Sequence, residues 1–337
     1  MSKLLLLAFF ISSSFTVLFS QKVIRGKVIE SNTNNPIPYA NIGIRNSSVG
    51  TISNADGTFL ASVPDDHLKD TVTFSALGYL HQSIPVAQLN SNNSVTIILS
   101  TKETFLQEVT ISSKREKAKE FDLGNRYSKG GLNMSSAEEA TAGASVALLV
   151  QNKYPSYYSD LIYPVFLEDA KVRINGNTTG HFKIRVRLFE VDSLTGQPGK
   201  DMLNESIVIE SDMRSGWLRF DLSKYNLQVN GSFFLAFEWI MDEKDRSELK
   251  QVYREFEKQH PDKVLDSMTV DGKKLKIKNY VGFLAGTSFG VSIEPFSLHN
   301  YQTFSRMNSL GEWKRAPYIL TARVTVSNEP NSLRTKK

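Results

Sequence analysis

The residues that decide the first fold lie between Val23 and Tyr79, in four pieces: VIRGKVIE (Val23–Glu30), PIPYANIGIRN (Pro36–Asn46), GTISNADGTF (Gly50–Phe59) and FSALGY (Phe74–Tyr79). Their pattern has a period of two. Ile24, Gly26 and Val28 alternate with Val23, Arg25 and Lys27; Ala40, Ile42 and Ile44 alternate with Tyr39, Asn41 and Gly43. Successive side chains of a strand point to opposite faces, so this alternation gives each strand one face to bury. The Asn54–Gly57 turn leads into Phe59, Ala61 and Val63. Asp56–Gly57 suits a hairpin, because Gly takes positive φ freely and Asp comes close to doing so. Val72 and Phe74, then Val95, Ile97 and Leu99, carry the pattern to about Ser100. Short strands at close spacing with turn signals between them predict an all-β sandwich over 21–100. Within it, Gly78 marks a bulge or a close backbone approach.

The G-K-V start, the P-x-P-Y-A-N-I strand, the G-T-x-S-N-x-D-G-x-F turn and the L-G-Y together resemble the carboxypeptidase-like regulatory domain. That family is a transthyretin-like module common at the N-termini of cell-envelope proteins of the Bacteroidetes type. The resemblance implies a seven-stranded sandwich with no catalytic residues of its own, outside the cytoplasm. Leu106–Ser112 (LQEVTIS) looks like the segment that follows this domain in TonB-dependent outer-membrane receptors. The remaining chain is too short for a plug and long barrel, and the plainer reading is one further strand.

Residues 1–20 read as a secretory signal: Lys3, the apolar runs Leu4–Ile11 and Phe15–Phe19, and small Ser20 at the cleavage point. Ser12–Ser14 interrupt the apolar run, which is short for a membrane span, and no later stretch is long and apolar enough for a transmembrane helix. There is no cysteine, which removes disulfides, thiolate metal sites, cysteine nucleophiles and a lipoprotein anchor. A chain of 337 residues buries enough core to do without disulfides and divides into two domains. The net charge of +5 is modest against 40 Lys and Arg and 35 Asp and Glu. For an exported protein it suits acidic cell-surface polymers rather than nucleic acid. The expected location is the periplasm or the outer-membrane surface.

Residues 101–143 read as a linker, with a charge cluster (Lys114–Glu120), the Gly130–Gly131 pair and small polar residues (Ser135–Gly143). Longer strands follow over 144–327: Ala144–Gln151, Asp169–Asn175, Phe182–Val191, Ser206–Glu210, Gly216–Leu222, Ser232–Met241, Tyr280–Gly286, Phe289–Ile293, Tyr301–Met307 and Tyr318–Val326. Phe233–Ile240 (FFLAFEWI) is apolar on both faces, as a central strand covered on both sides should be. The count and spacing predict a larger, jelly-roll-like sandwich. One helix interrupts it near 244–260: Asp242–Asp245 give an acidic start, Leu249, Val252, Tyr253 and Phe256 form one face, and Pro261 ends it. Residues 328–337 are a polar, basic tail.

Catalytic signatures are weak. A zinc carboxypeptidase needs H-x-x-E and a later His. None of the five histidines (His67, His81, His181, His260, His299) has Glu three residues on. Gly286–Gly290 (GTSFG) matches the spelling of a nucleophile elbow, but an elbow needs a strand, a sharp turn and a helix. Here strand alternation resumes at Val291, so Thr287–Ser288 reads as a hairpin turn. Glu238, inside the apolar Phe233–Ile240 run, is the one acid that reads as buried. A buried carboxylate is either a perturbed functional group or the partner of an Arg on a neighbouring strand.

Two binding faces stand out. Lys183, Arg185 and Arg187 share one face of their strand, as do Lys171 and Arg173 of theirs. Pairing of the two strands would gather five cations for an acidic glycan or lipopolysaccharide; the alternative is an ordinary face with acids on neighbouring strands. Tyr154, Tyr157, Tyr158 and Tyr163, with Trp217 and Trp313 elsewhere, are either sugar-stacking rings or core. Lys183–Trp239, with its Leu194–Gly199 loop, looks like part of jelly-roll adhesion or glycan-binding modules. The expectation is a non-catalytic exported envelope protein with no cofactor or metal. Its partner would be an envelope polysaccharide or another envelope protein. A glycan-binding accessory protein and a hydrolase with an unrecognised site are the alternatives.

Overall fold

The computed structural model describes residues 21–89, 93–102, 119–132, 142–152, 160–265, 268–270, 273–275, 279–280 and 283–329. The signal segment, Leu106–Ser112, Tyr154, Tyr157, Tyr158 and the end of the tail lie outside these residues.

Among the described residues, seven strands build the first sandwich: β1 (Gln21–Glu30), β2 (Asn41–Ile44), β3 (Gly50–Ile52), β4 (Thr58–Pro64), β5 (Thr71–Ser75), β6 (Gln82–Pro85) and β7 (Val95–Leu99). One sheet has the order β4-β1-β7, with β1 and β7 parallel; the other runs β3-β2-β5-β6. The alternating residues meet between them: Ile24, Val28, Phe59, Val63 and Ile97 pack against Ile42, Val72 and Phe74. The hairpin expected at Asp56–Gly57 forms. Asp56 accepts from the Thr58 amide and hydroxyl, and Gly57 takes φ +78°. Ser53 is fully buried; its hydroxyl accepts from the Ala40 amide and donates to the Ile37 carbonyl, satisfying backbone groups of the P-I-P-Y-A turn.

The second sandwich is larger. Its strands are β8 (Glu120–Gly124), β9 (Gly130–Leu132), β10 (Ser145–Val150), β11 (Val165–Asn177), β12 (Phe182–Val191), β13 (Pro198–Asp201), β14 (Ile207–Ser211), β15 (Gly216–Asp221), β16 (Gln228–Val229) and β17 (Phe233–Ile240). The small antiparallel pairs β18 (Val264–Leu265) with β21 (Asn279–Tyr280), and β19 (Met268–Val270) with β20 (Lys273–Leu275), follow. Then come β22 (Thr287–Ser292), β23 (Thr303–Arg306), β24 (Lys314–Arg315), β25 (Ile319–Leu320) and β26 (Ala322–Ser327). Among the described residues, one sheet has seven strands in the order β13-β12-β17-β10-β23-β24, with β14 also on β12. The other has eight, β25-β22-β11-β26-β8, with β15 and β16 on β11 and β9 on β22. Val146, Leu148, Val186, Leu188, Leu235 and Phe237 of the first meet Val172, Phe220, Phe289 and Val324 of the second. The fold is all-β, as its alternation predicts.

Three expectations need correction. The segment 101–143 is not a linker throughout: β8 and β9 lie in the eight-stranded sheet, where Leu123 is buried in the core. Its charges mask a short Phe121, Leu123 alternation. Thr287–Ser288 is not a turn but the start of β22; the chain turns at Gly286, which takes φ +99°. A short helix, α2 (Pro295–Asn300), also appears where none is expected.

The expected long helix is α1 (Glu243–Gln259). Asp242 caps it: its carboxylate accepts from the Asp245 amide, and Asp245 accepts from the Asp242 amide in return. Leu249 and Tyr253 bury against Ala285, whose amide donates to the Tyr253 hydroxyl. Among the described residues no helix is long and apolar enough to cross a membrane.

Candidate functional site

Three of the polar residues that the sequence offers for function, Arg185, Arg187 and Glu238, gather where the two sandwiches meet. Strands β12, β17, β10 and β23 lie side by side, and their register sets Arg185 opposite Glu238, Glu238 opposite Ser145, and Ser145 opposite Arg306. Directly opposed residues project from the same sheet face. One polar row therefore crosses four strands on the outer face of the seven-stranded sheet. The next row along is Arg187, Ala236 and Ala147, whose small alanines adjoin the long arginine.

Every charged member of these rows is buried, with Glu238 at 0%, Arg185 at 1%, Arg187 at 7% and Arg306 at 8% relative exposure. Glu238 accepts from Arg187 Nη1 at 3.2 Å and from the Ser309 hydroxyl, and Arg185 Nη1 stands 3.8 Å from it. Arg187 Nε donates to Asp201 at 2.7 Å. Arg306 Nε donates to Ser145 Oγ at 3.4 Å, and its guanidinium lies 4.3 Å above the Trp313 ring. Burial pushes the Glu238 carboxyl up, but Arg185, Arg187 and Arg306 outweigh it and hold the group below its ordinary value. Burial and then Arg187 pull Arg306 down to about 9, so it stays charged at neutral pH.

This row is also the seat of the first sandwich. Arg185 Nη2 donates to the Tyr39 carbonyl at 2.6 Å and Nη1 to Asn41 Oδ1 at 3.2 Å. Tyr39 takes φ +53°, a left-handed conformation uncommon for an aromatic residue. The Glu243 amide, at the start of α1, donates to Asn54 Oδ1 at 3.0 Å, and Arg246 Nη1 donates to Thr51 Oγ1 at 2.7 Å. Asn308 Nδ2 donates to the Ser47 carbonyl and the Asn46 amide to the Leu310 carbonyl, both at 2.9 Å. Ile52, Ala142 and Ile240 seal the seam with an apolar contact. Gly78 is indeed a close approach: it takes φ +84°, and a Cβ there would collide with the Asn204 carbonyl oxygen.

The five expected surface cations do not form one face. Lys171 and Arg173 sit on β11 in the eight-stranded sheet, while Lys183, Arg185 and Arg187 sit on β12 in the other. Alternation within each strand is as read; the pairing is not, because β12 pairs with β13, β14 and β17 and β11 with β15, β16, β22 and β26. Lys171 contacts Asp169 at 2.9 Å, and Arg173 lies half-buried opposite Trp217. Lys183 is buried between Asp242 at 2.8 Å and Asp245 at 2.6 Å. Of the aromatic candidates, Trp217 is half-buried beneath the Arg323 guanidinium at 4.9 Å, Trp313 is buried against Phe189, and Tyr163 packs on the main core.

A small pocket beside α1 is lined by His181, Lys183, Trp239, Asp245, Glu248 and Thr287, among others. His181 Nε2 lies 3.2 Å from Asp245 Oδ1. Burial, above all, raises the Asp245 carboxyl; at Asp242 burial also pushes up, but the hydrogen bonds from Lys183 and Asp245 and the Lys183 charge together outweigh it and lower the carboxyl. The Thr287 hydroxyl, within the G-T-S-F-G run, donates to Asn177 Oδ1 rather than to a base. Ser288, the elbow position, lies inside β22 with its hydroxyl on the Gly176 carbonyl. Among the described residues, no three His, Asp or Glu side chains converge in a way that would hold a metal ion. Sequence reasoning missed Asp201, Ser145, Arg306 and Ser309. The one signal toward them was Glu238, whose burial demanded cationic partners.

Residues 24–111 match the model of the CarboxypepD_reg-like domain, so the first sandwich is a carboxypeptidase-regulatory-like β-sandwich. The match covers the docked motifs around Tyr39, Asn41, Thr51 and Asn54. No curated protein matches the chain. One solved structure, of the cysteine protease and lectin-like domains of Cwp84, a surface layer associated protein of Clostridium difficile, aligns with 92% of this chain at 10% identity and a TM-score of 0.28. The chain spans 59% of that structure's own chain, and at that score the likeness defines neither fold nor function.

Proposed function

We propose that this chain is a non-catalytic, exported cell-envelope protein, an interaction module in which the regulatory-like domain and the larger sandwich work as one docked body. The observation that carries the reading is the use of Arg185, Arg187 and Glu238. A proton-transferring carboxylate needs a pKa near the working pH and access to substrate. Glu238 has neither: three arginines keep it ionised, and it is wholly enclosed. Its chemistry serves to hold the two sandwiches together. The N-terminal leader-like segment and the regulatory-like domain support export, to the periplasm or the outer-membrane surface. The partner we favour is an envelope polysaccharide or another envelope protein, met on surfaces away from the filled junction.

Two measurements on the native protein test this together. Fractionation should place it in the envelope or medium, and a panel of peptidase and glycosidase substrates should show no turnover. Turnover by the purified chain that disappears in Glu238→Gln would refute the non-catalytic reading. A cytoplasmic native protein would refute export.

A further inference from the structure

On the outer face of the eight-stranded sheet the charges are sorted into rows. Asp122, Thr325, Asp169 and Asp221 stand opposite one another across β8, β26, β11 and β15. The next row carries Arg323, Lys171 and Arg219. Arg323 contacts Asp122 at 3.1 Å, and Lys171 and Arg219 contact Asp169 at 2.9 and 3.0 Å. The third row has no acid. Trp217 of β15 is opposite Arg173 of β11, the Arg173 stem crosses Gly290 of β22, and Gly290 is opposite Gly131 of β9. Among the described residues Arg173 has neither a carboxylate nor a hydrogen-bond acceptor, and none of its side-chain nitrogens is sealed from solvent.

Two neutral polar groups without partners meet it there. Ser128 Oγ and Arg173 Cγ lie 2.6 and 2.7 Å from the point where a Cβ on Gly290 would stand. Asn175 Nδ2 lies 2.5 Å from the matching point on Gly131, and opposed Cβ positions are about 5 Å apart. Any side chain at either glycine would collide with these groups. Among the described residues neither the Ser128 hydroxyl nor the Asn175 amide has a hydrogen-bond partner. The loop that carries Ser128 is pinned from below: fully buried Asn125 accepts from the Tyr127 amide and donates to the Tyr127 carbonyl, both at 3.1 Å. The Tyr127 ring nevertheless stands 56% exposed, edge-on to the exposed Phe296 of α2.

We propose that this spot binds a carboxylate-bearing sugar unit of an acidic polysaccharide, an inference that rests on the reading of an envelope polysaccharide as partner. The planar guanidinium fork of Arg173 matches a carboxylate, and one unanswered positive charge matches a monoanion. Ser128 and Asn175 supply hydrogen bonds to sugar hydroxyls. Tyr127 offers an apolar ring face beside them. A folded protein partner would need about 800 Å² of contact, far more than this cluster presents.

The test is direct binding of the full chain to polygalacturonate, alginate and hyaluronate, with methyl-esterified polygalacturonate, dextran sulfate and polyglutamate beside them. At least one carboxylated polysaccharide should bind, and the methyl ester should not. Arg173→Gln should weaken that binding about tenfold or more, as loss of a charge-assisted hydrogen bond does, and leave Tm within about 2 °C. Tyr127→Ala should weaken it several-fold. No binding to any of the three polymers, binding unchanged in Arg173→Gln, or preference for dextran sulfate or polyglutamate would each overturn the site. Those results would leave the envelope reading standing, because fractionation and the turnover assays decide that separately. If Arg173→Gln does not fold, Tyr127→Ala and the methyl-ester comparison still decide the proposal.

Discussion

Glu238 stays ionised in a site with no solvent because three guanidinium groups outweigh the desolvation that burial imposes. Breaking such a pair from one side is expensive, since it strands the other partner. Glu238→Gln should therefore destabilise the chain by about 3–5 kcal/mol in urea unfolding. A loss under about 1 kcal/mol would mean the arginines find other acceptors. The pH dependence follows from the sign of the shift. A carboxylate whose folded pKa is depressed contributes stability that is fully present above its unfolded value of about 4.3. That stability is lost as pH falls from there through the lower folded value. Wild type should thus lose stability faster than Glu238→Gln in the acid range and equally at neutral pH. Parallel acid limbs in the two proteins would contradict this assignment.

At the scale of elements, α1 has two capping systems, one from each sandwich. Asp242 and Asp245 close the helix's own box, while Asn54, in the S-N-A-D-G turn of the first sandwich, accepts from the Glu243 amide. Asn54→Ala should cost about 0.5–1.5 kcal/mol. Asn54→Asp keeps the acceptor, sets a negative charge at a helix N-terminus and should retain most of that stability. Equal losses in both variants would show that Asn54 matters only to its own turn. This is also the scale at which sequence reading succeeds and fails. Period-two alternation made β1, β2 and β12 legible, an unbroken apolar run made β17 legible, and helical spacing with an acidic start made α1 legible. Which strands become neighbours is set by packing across the whole sandwich, so Arg173 and Arg185 read as companions when they lie on different sheets. Glu238 was legible as buried because it interrupts FFLAFEWI. Arg306 was not, because the short strand TFSR carries too few apolar residues to mark which face is covered.

At the scale of the molecule, the regulatory-like sandwich is a closed unit with a core of its own and a docking edge besides. Ile52 is 1% exposed and packs against Ala142 and Ile240 of the larger sandwich. A fragment covering 21–102 should unfold cooperatively, yet at lower denaturant than the same strands within the full chain, since excision bares Ile52 and Tyr39. A fragment as stable as the full chain would mean the seam adds nothing.

The central claim is that the two sandwiches are docked through the Tyr39–Asn54 edge and the Arg185–Arg306 face. The absence of cysteine makes it directly testable. A Cβ placed on Gly50 would lie 3.2 Å from the Asn308 Cβ, near the 3.5–4.5 Å separation that a disulfide requires. The doubly substituted chain, Gly50→Cys with Asn308→Cys, should therefore oxidise under mild conditions to an intramolecular disulfide, giving a faster-migrating monomer on a non-reducing gel. Two free thiols, or cross-linked dimers in place of that monomer, would contradict the docked arrangement.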